Sequence, residues 1–288
     1  MSQGVEGNLG WVPLNMGHGL ANSHEDINAN LEYIMQRPYT GLPEILGTES
    51  GAVSVVGSGP SLKKNWKKLR DSDTDIIACN AAFQFLLERG VTPKYFFCFD
   101  ADPLMLEFIT PHPDVIYLMG SRCPPRAFQM LEGCNVIVWH AKGDRDLELL
   151  LNKYGRMEPM VAGGTAAVTR AMTLAQPLGY TTVHLWGCDS SWSEGATHIR
   201  KSTTDEKYIP IRIQERVFHT APWMCQQVED FKQLAPAIRD MYGVKFIVHG
   251  DGMMPFIAEI MDFETDSPKI ARAFRSVKRK ARILWSQL

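Results

Sequence analysis

The chain has 288 residues, 45% of them hydrophobic and 22% charged, with a formal net charge of −2. That length and apolar share suit a globular protein with a full core, as one large domain or two small ones. The near-neutral balance excludes a protein drawn to nucleic acid or an anionic membrane by overall charge, and no run approaches the ~20 apolar residues that span a bilayer.

In chain order, residues 1–22 are rich in Gly and Asn and are expected to form an irregular arm. Ser23 is placed to cap a helix with Asp26 in its first turn, and Ile27, Leu31, Ile34 and Met35 follow at helical spacing until Pro38. Pro43, Gly47 and Gly51 read as a linker, so residues 1–50 are expected to be an appendage to a main domain over 51–250. From there, short apolar runs alternate with helical patterns. The runs are Ala52–Val56, Ile76–Cys79, Tyr95–Phe99, Val115–Met119, Val136–Trp139, Val183–Trp186 and Phe246–Val248. Helices are expected at 61–70, 81–89, 103–109, 124–131, 144–153, 164–176 and 222–241. Near-continuous apolar strands separated by helices predict an α/β fold, Rossmann-like, with a mostly parallel sheet and helices on both faces. Residues 251–288 are expected to be a C-terminal basic helical tail, with Arg272, Arg275, Lys278, Arg279, Lys280 and Arg282 among Ile270, Phe274 and Trp285. Such a tail suits a solvated face, or contact with a membrane surface, a nucleic acid or a partner subunit, a second copy of the chain included. The six cysteines lack paired C-x-x-C spacing and mostly lie in apolar runs, which points to reduced, buried thiols and a cytoplasmic setting.

Ligands of such sheets bind at the carboxyl ends of the strands, and several candidate motifs fall there. Val53, Val55 and Val56 run into Gly57, Ser58, Gly59, Pro60 and Ser61, a glycine turn opening a helix. Free amides and the positive end of the helix dipole suit a phosphate at such a turn, and the lysines Lys63 and Lys64 in the first turn fit a bound anion. Leu62 stands where a dinucleotide fingerprint wants its third glycine, and no Gly-Lys-Ser/Thr follows, so neither common nucleotide motif is met. Asp100 and Asp102 end the third run and either hold Mg²⁺ together or divide, with Asp102 capping the helix that starts at Pro103. Gly163, Gly164 and Thr165 form a second glycine turn, whose amides suit a second phosphate or a carboxylate, or whose small residues let its helix pack closely. Asp189 ends a strand and leads into a long polar stretch, Ser190 to Ile213, which reads as a lid. His198, within it, is the candidate general base. His140 ends another strand before a polar turn, and the remaining histidines show no zinc spacing.

Taken together, Val55 to Leu62, Asn80, Pro93 with the Phe96 to Asp100 strand, Gly163 to Thr165, and Gly187-Cys188-Asp189 followed by Gly195 to His198 resemble one family. It is the 6-hydroxymethylpterin diphosphokinase MptE-like family, shared with motility-associated flagellin glycosyltransferases. The resemblance implies that Gly57 to Ser61, Asn80, Asp100 and Gly163 to Thr165 surround a nucleotide, with Asp189 and His198 beside the acceptor. Three functions remain open. The first is diphosphoryl transfer from ATP to a small hydroxymethyl acceptor, with Mg²⁺ on Asp100 and Asp102 and no organic prosthetic group. The second is a glycosyltransferase using a CMP-type nucleotide sugar, with a sugar or small-molecule acceptor. The third is a non-catalytic nucleotide-binding module.

Overall fold

A computed structural model describes residues 23–144, 146–192 and 209–266. The arm at 1–22, His198 and the basic tail from Lys269 lie outside the described residues. The elements are α1 (His24–Met35), β1 (Thr40–Gly41), β2 (Ala52–Val56), α2 (Leu62–Arg70), β3 (Asp75–Cys79), α3 (Ala81–Leu87) and β4 (Tyr95–Cys98). They continue with β5 (Ile116–Gly120), α4 (Pro125–Met130), β6 (Asn135–Ala141), α5 (Leu147–Lys153), β7 (Met160–Val161), α6 (Ala167–Leu178) and β8 (Thr182–Trp186). The last are β9 (Ile209–Ile213), β10 (Arg216–Thr220), α7 (Pro222–Tyr242), β11 (Lys245–Val248), α8 (Met253–Ile260) and β12 (Glu264–Thr265).

The main sheet runs β1-β6-β5-β4-β3-β2-β8-β11-β12, with β7 beside β6, and each of its pairings is parallel. The expected α/β layering is present, because the alternation of each strand sends apolar side chains to both faces. Val53, Val55, Ile77 and Phe97 meet Ala171, Leu174 and Ala175 of α6 and Phe231 of α7 on one face. Val56, Ala78, Phe96 and Tyr117 meet Leu62, Leu69 and Phe83 on the other. Burying one such leucine or phenylalanine contributes about 1.5–3 kcal/mol, so both layers are held by the sheet and not by helix propensity. The cysteines are unpaired, and all but Cys134 are buried.

Three boundaries differ from the sequence reading. Ser23 does cap α1, its hydroxyl accepting from the Asp26 N–H at 3.0 Å. Yet the helix is no appendage: Ile27, Leu31 and Met35 are buried against Leu147 and Leu151 of α5, and β1 joins the sheet beside β6. At the other end, α8 and β12 extend the domain past residue 250, with Met253, Met254 and Ile257 in the core and β12 paired to β11. Of the stretch expected as a lid, residues 193–208 lie outside the described residues, and Ile209–Ile213 pairs with Arg216–Thr220 as an antiparallel hairpin. Phe218 anchors that hairpin at 5% exposure, with its ring 5.5 Å from Phe256. Finally, the helix expected at 103–109 is 3-10 in form over Pro103–Phe108.

Candidate functional site

Strands β2 to β6 step outward one way, while β8, β11 and β12 step the other. This reversal makes the loops after β2 and β8 the topological switch point, beside which open α/β sheets place their ligands. At this switch point the chain ties itself together. The Gly57 N–H donates to Trp186 O (2.8 Å), the Gly59 N–H to Gly187 O (2.8 Å), and the Ser61 N–H to Asp189 Oδ2 (2.8 Å). The glycines are needed for this approach: a Cβ on Gly57 would lie 2.6 Å from Gly187 O, and one on Gly59 would overlap the Asp189 carboxylate. The expected phosphate cradle is therefore corrected. Asp189 places its own carboxylate at the N-terminus of α2, taking the position and the Ser61 amide that a phosphate would use.

Asp189 is 3% exposed. Its main-chain oxygen accepts from the Met254 N–H (3.1 Å) and from the Ser191 hydroxyl (3.3 Å), which itself accepts from the Met253 N–H (3.1 Å). One residue thus joins the glycine turn, the end of β8 and the start of α8. Burial pushes its carboxyl up to about 6, against lowering by the Ser61 main-chain N–H and by the nearby Ser61 hydroxyl, with Asp251 adding repulsion and Lys64 attraction. Its Oδ1 and the neighbouring Ser61 Oγ are buried without a hydrogen-bond partner among the described residues. Cys188 beside it is inert packing, its thiol buried and pushed up to about 12.

The second glycine turn repeats the pattern. Asp230 of α7 accepts at one oxygen from both the Thr165 N–H (2.6 Å) and the Thr165 hydroxyl (2.9 Å), and a side chain on Gly164 would overlap it. These residues precede α6, which starts at Ala167 and is opened by Thr169, whose hydroxyl donates to Ala166 O (2.9 Å). Of the phosphate or carboxylate expected at this turn, the structure supplies an internal carboxylate, that of Asp230.

Asn80, at the turn from β3 into α3, has φ 49° and ψ −127°. A non-glycine residue in that region stores about 1–3 kcal/mol, and such strain concentrates where a fold presents a side chain for use. Its amide oxygen is buried without a partner among the described residues. Asp100, at the end of β4, is pushed upward, mainly by burial. Of the two arrangements open for Asp100 and Asp102, the structure shows the divided one. Asp102 caps the 3-10 turn, accepting from the Leu104 N–H (2.9 Å), while Asp100 accepts from the Asp102 N–H (3.3 Å). Among the described residues no group of three His, Cys, Asp or Glu is gathered for a metal.

Arg122 and Arg170 lie outside the sequence expectations, which took in His140 and the polar turn after it. After β5, Arg122 pairs with Asp144 (2.8 Å), which follows β6. Arg170 reaches the same place from α6, donating to Val161 O (2.9 Å) and Lys142 O (3.4 Å). His140, 1% exposed, is held at Nε2 by Glu158 (2.9 Å) and Tyr39 (3.2 Å). Two signals were available in the sequence: the rule that picked the other strand ends applies equally to Ser121-Arg122, and Arg170 is a lone cation in the apolar stretch 166–178. Of ten buried side-chain polar atoms without a partner among the described residues, eight lie at this carboxyl edge or on the helix entering it. At the opposite edge, Lys94, Asp75, Glu49, Tyr95 and Tyr180 satisfy one another. Buried polar groups are normally paired, so the one-sided excess makes this edge the candidate site.

The family model for 6-hydroxymethylpterin diphosphokinase MptE-like proteins matches residues 25–195, which carry α1 and both switch-point loops. The chain belongs to the MptE-like family. No curated protein matches it. A solved structure, the MAf glycosyltransferase from Magnetospirillum magneticum AMB-1, superposes with a TM-score of 0.62 at 17% identity, over 91% of this chain and 42% of that one. That likeness shows a shared fold, and the MptE-like chain spans under half the length of that protein. Family and fold together support a transferase-like function. No helix among the described residues is long and apolar enough to cross a membrane.

Proposed function

We propose that this MptE-like protein transfers a glycosyl group from a nucleotide-activated donor bound beside the β2/β8 switch point to a hydroxyl acceptor. The observation that carries the reading is the row of unpartnered buried polar atoms along the sheet's carboxyl edge, with Ser61 Oγ and Asp189 Oδ1 at the β2/β8 switch point and a strained Asn80 next to them. In this mechanism the Asn80 amide orients the nucleotide, and Asp189 keeps the two switch-point loops in register. His198 takes the acceptor proton as the acceptor oxygen bonds to the sugar carbon. The bond from that carbon to the nucleotide phosphate oxygen breaks, and its electron pair leaves with the phosphate. Glycosyl transfer is preferred over diphosphoryl transfer because the amides of both glycine turns already serve Asp189 and Asp230. A magnesium-bound triphosphate would meet those two carboxylates in place of free donors.

Diphosphoryl transfer is the second reading, favoured by the family's description and by the Arg122 and Arg170 cations at the edge. Thermal unfolding with CMP, UMP, GDP and ATP, each with Mg²⁺ and with chelator, separates the two. A ligand at 100 times its Kd adds about 2.7 kcal/mol to native stability. The expected result is stabilisation by a nucleoside monophosphate or diphosphate that persists in chelator and is lost in Asn80→Ala. Stabilisation by ATP with Mg²⁺ alone would replace the proposal with the second reading. No response to any nucleotide would overturn both.

A further inference from the structure

We propose that Arg122, Asp144 and Arg170 form an anion niche at the β5/β6 end of the carboxyl edge, taking a phosphate or carboxylate group of the substrate. This rests on the transferase reading only in calling that anion part of a substrate.

Three side chains from separate elements converge there. Asp144, its side chain 4% exposed, spends one oxygen on Arg122. Its other oxygen is buried and unpartnered among the described residues, as are the Nε atoms of Arg122 and Arg170. Both guanidinium groups sit beside the Phe99 ring, at 5.8 and 5.1 Å from its centroid. The two terminal nitrogens of Arg170 are committed to main-chain oxygens, which fixes the plane of its fork and the direction of its Nε–H. An arginine held in this way is a preset donor for an oxyanion.

Among the described residues only the Asp144 carboxylate is in direct contact with a guanidinium here, and buried N–H donors left without an acceptor are costly unless a ligand supplies one. Asp100 faces Arg122 and Asp230 faces Arg170 at longer range, each with an oxygen already accepting a hydrogen bond elsewhere. Neither closes the Nε positions. His140, whose Nε2 faces Glu158, borders Asp144 with an unpartnered Nδ1, so a hydroxyl or a protonated phosphate oxygen would also find an acceptor.

The test reads the arginines directly, in the whole wild-type chain carrying ¹⁵N-labelled arginine. Inorganic phosphate, pyrophosphate and acetate are titrated at ionic strength held constant with chloride. Two exchange-protected Nε–H signals, assigned by their loss in Arg122→Lys and Arg170→Lys, are expected to move together and saturate. Saturation with phosphate or pyrophosphate identifies a phosphate group, and saturation with acetate alone a carboxylate. In Arg170→Gln the affinity for the responding anion is expected to fall about tenfold or more. Signals that stay fixed under all three anions, or that drift without saturating, overturn the niche. Saturable movement in a protein that ignores every nucleotide would keep the niche and remove the transferase reading.

Discussion

Replacing Asp189 with asparagine tests the electrostatics of the switch point. The native carboxyl is pushed from 3.8 up to about 6, chiefly because burial disfavours its charged form. A carboxyl raised in the native state binds protons there that the unfolded chain has released, so stability falls as pH rises between those two values. The full cost of the raised carboxyl is about 3 kcal/mol, of which about 1.4 kcal/mol is lost between pH 5 and pH 7.5. An asparagine at this position would have no charge to bury, while its carbonyl oxygen can still accept from the Ser61 N–H. Urea unfolding of both proteins at pH 5 and 7.5 provides the comparison. The stability lost over that interval is expected to be about 1.4 kcal/mol smaller in Asp189→Asn than in wild type. Subtracting one protein from the other cancels the titrations they share. Equal losses in the two proteins would refute the claim that Asp189 carries a buried, penalised charge.

Asn80→Gly removes the penalty of holding a side chain at φ 49°, so the variant is expected to gain about 1 kcal/mol in urea unfolding while losing nucleotide-dependent stabilisation. Gly59→Ala drives a methyl into Gly187 O and the Asp189 carboxylate, and is expected to cost about 1–3 kcal/mol or more, read as a lowered urea midpoint at unchanged slope. Asp230→Ala strips the shared acceptor from the Thr165 N–H and hydroxyl. The expected cost is about 1–3 kcal/mol, and hydrogen exchange is expected to speed up at the Thr165 amide before any change at β2.

Most elements were legible because their cues are local. Runs such as Ala52–Val56 and Val183–Trp186 announced strands, Ser23 and Pro38 bracketed α1, and the glycines marked the turns after β2 and before α6. Parallel layering followed from apolar runs too continuous for a sheet with one wet face. The expectation that Gly57 to Ser61, Asn80, Asp100, Gly163 to Thr165 and Asp189 fall on one sheet edge was also legible, and they lie along one edge in the structure. Local pattern went astray where a residue's partner is far along the chain. A glycine turn before a helix looks the same whether it receives a phosphate or a carboxylate. Only the pairing of β2 with β8 brings Asp189 to Ser61 across 128 positions, and only the packing of α7 on α6 brings Asp230 to Thr165 across 65. Asp100 and Asp102 share a strand end, but the cap of a 3-10 turn takes Asp102 away. Arg122, Asp144 and Arg170 carry no mutual signal in sequence, because their meeting depends on neighbouring strands ending at one level beneath a helix. Local propensity and period thus determined the elements and the edge, and the tertiary structure decided which polar groups there are spent on the fold and which are buried without a partner among the described residues.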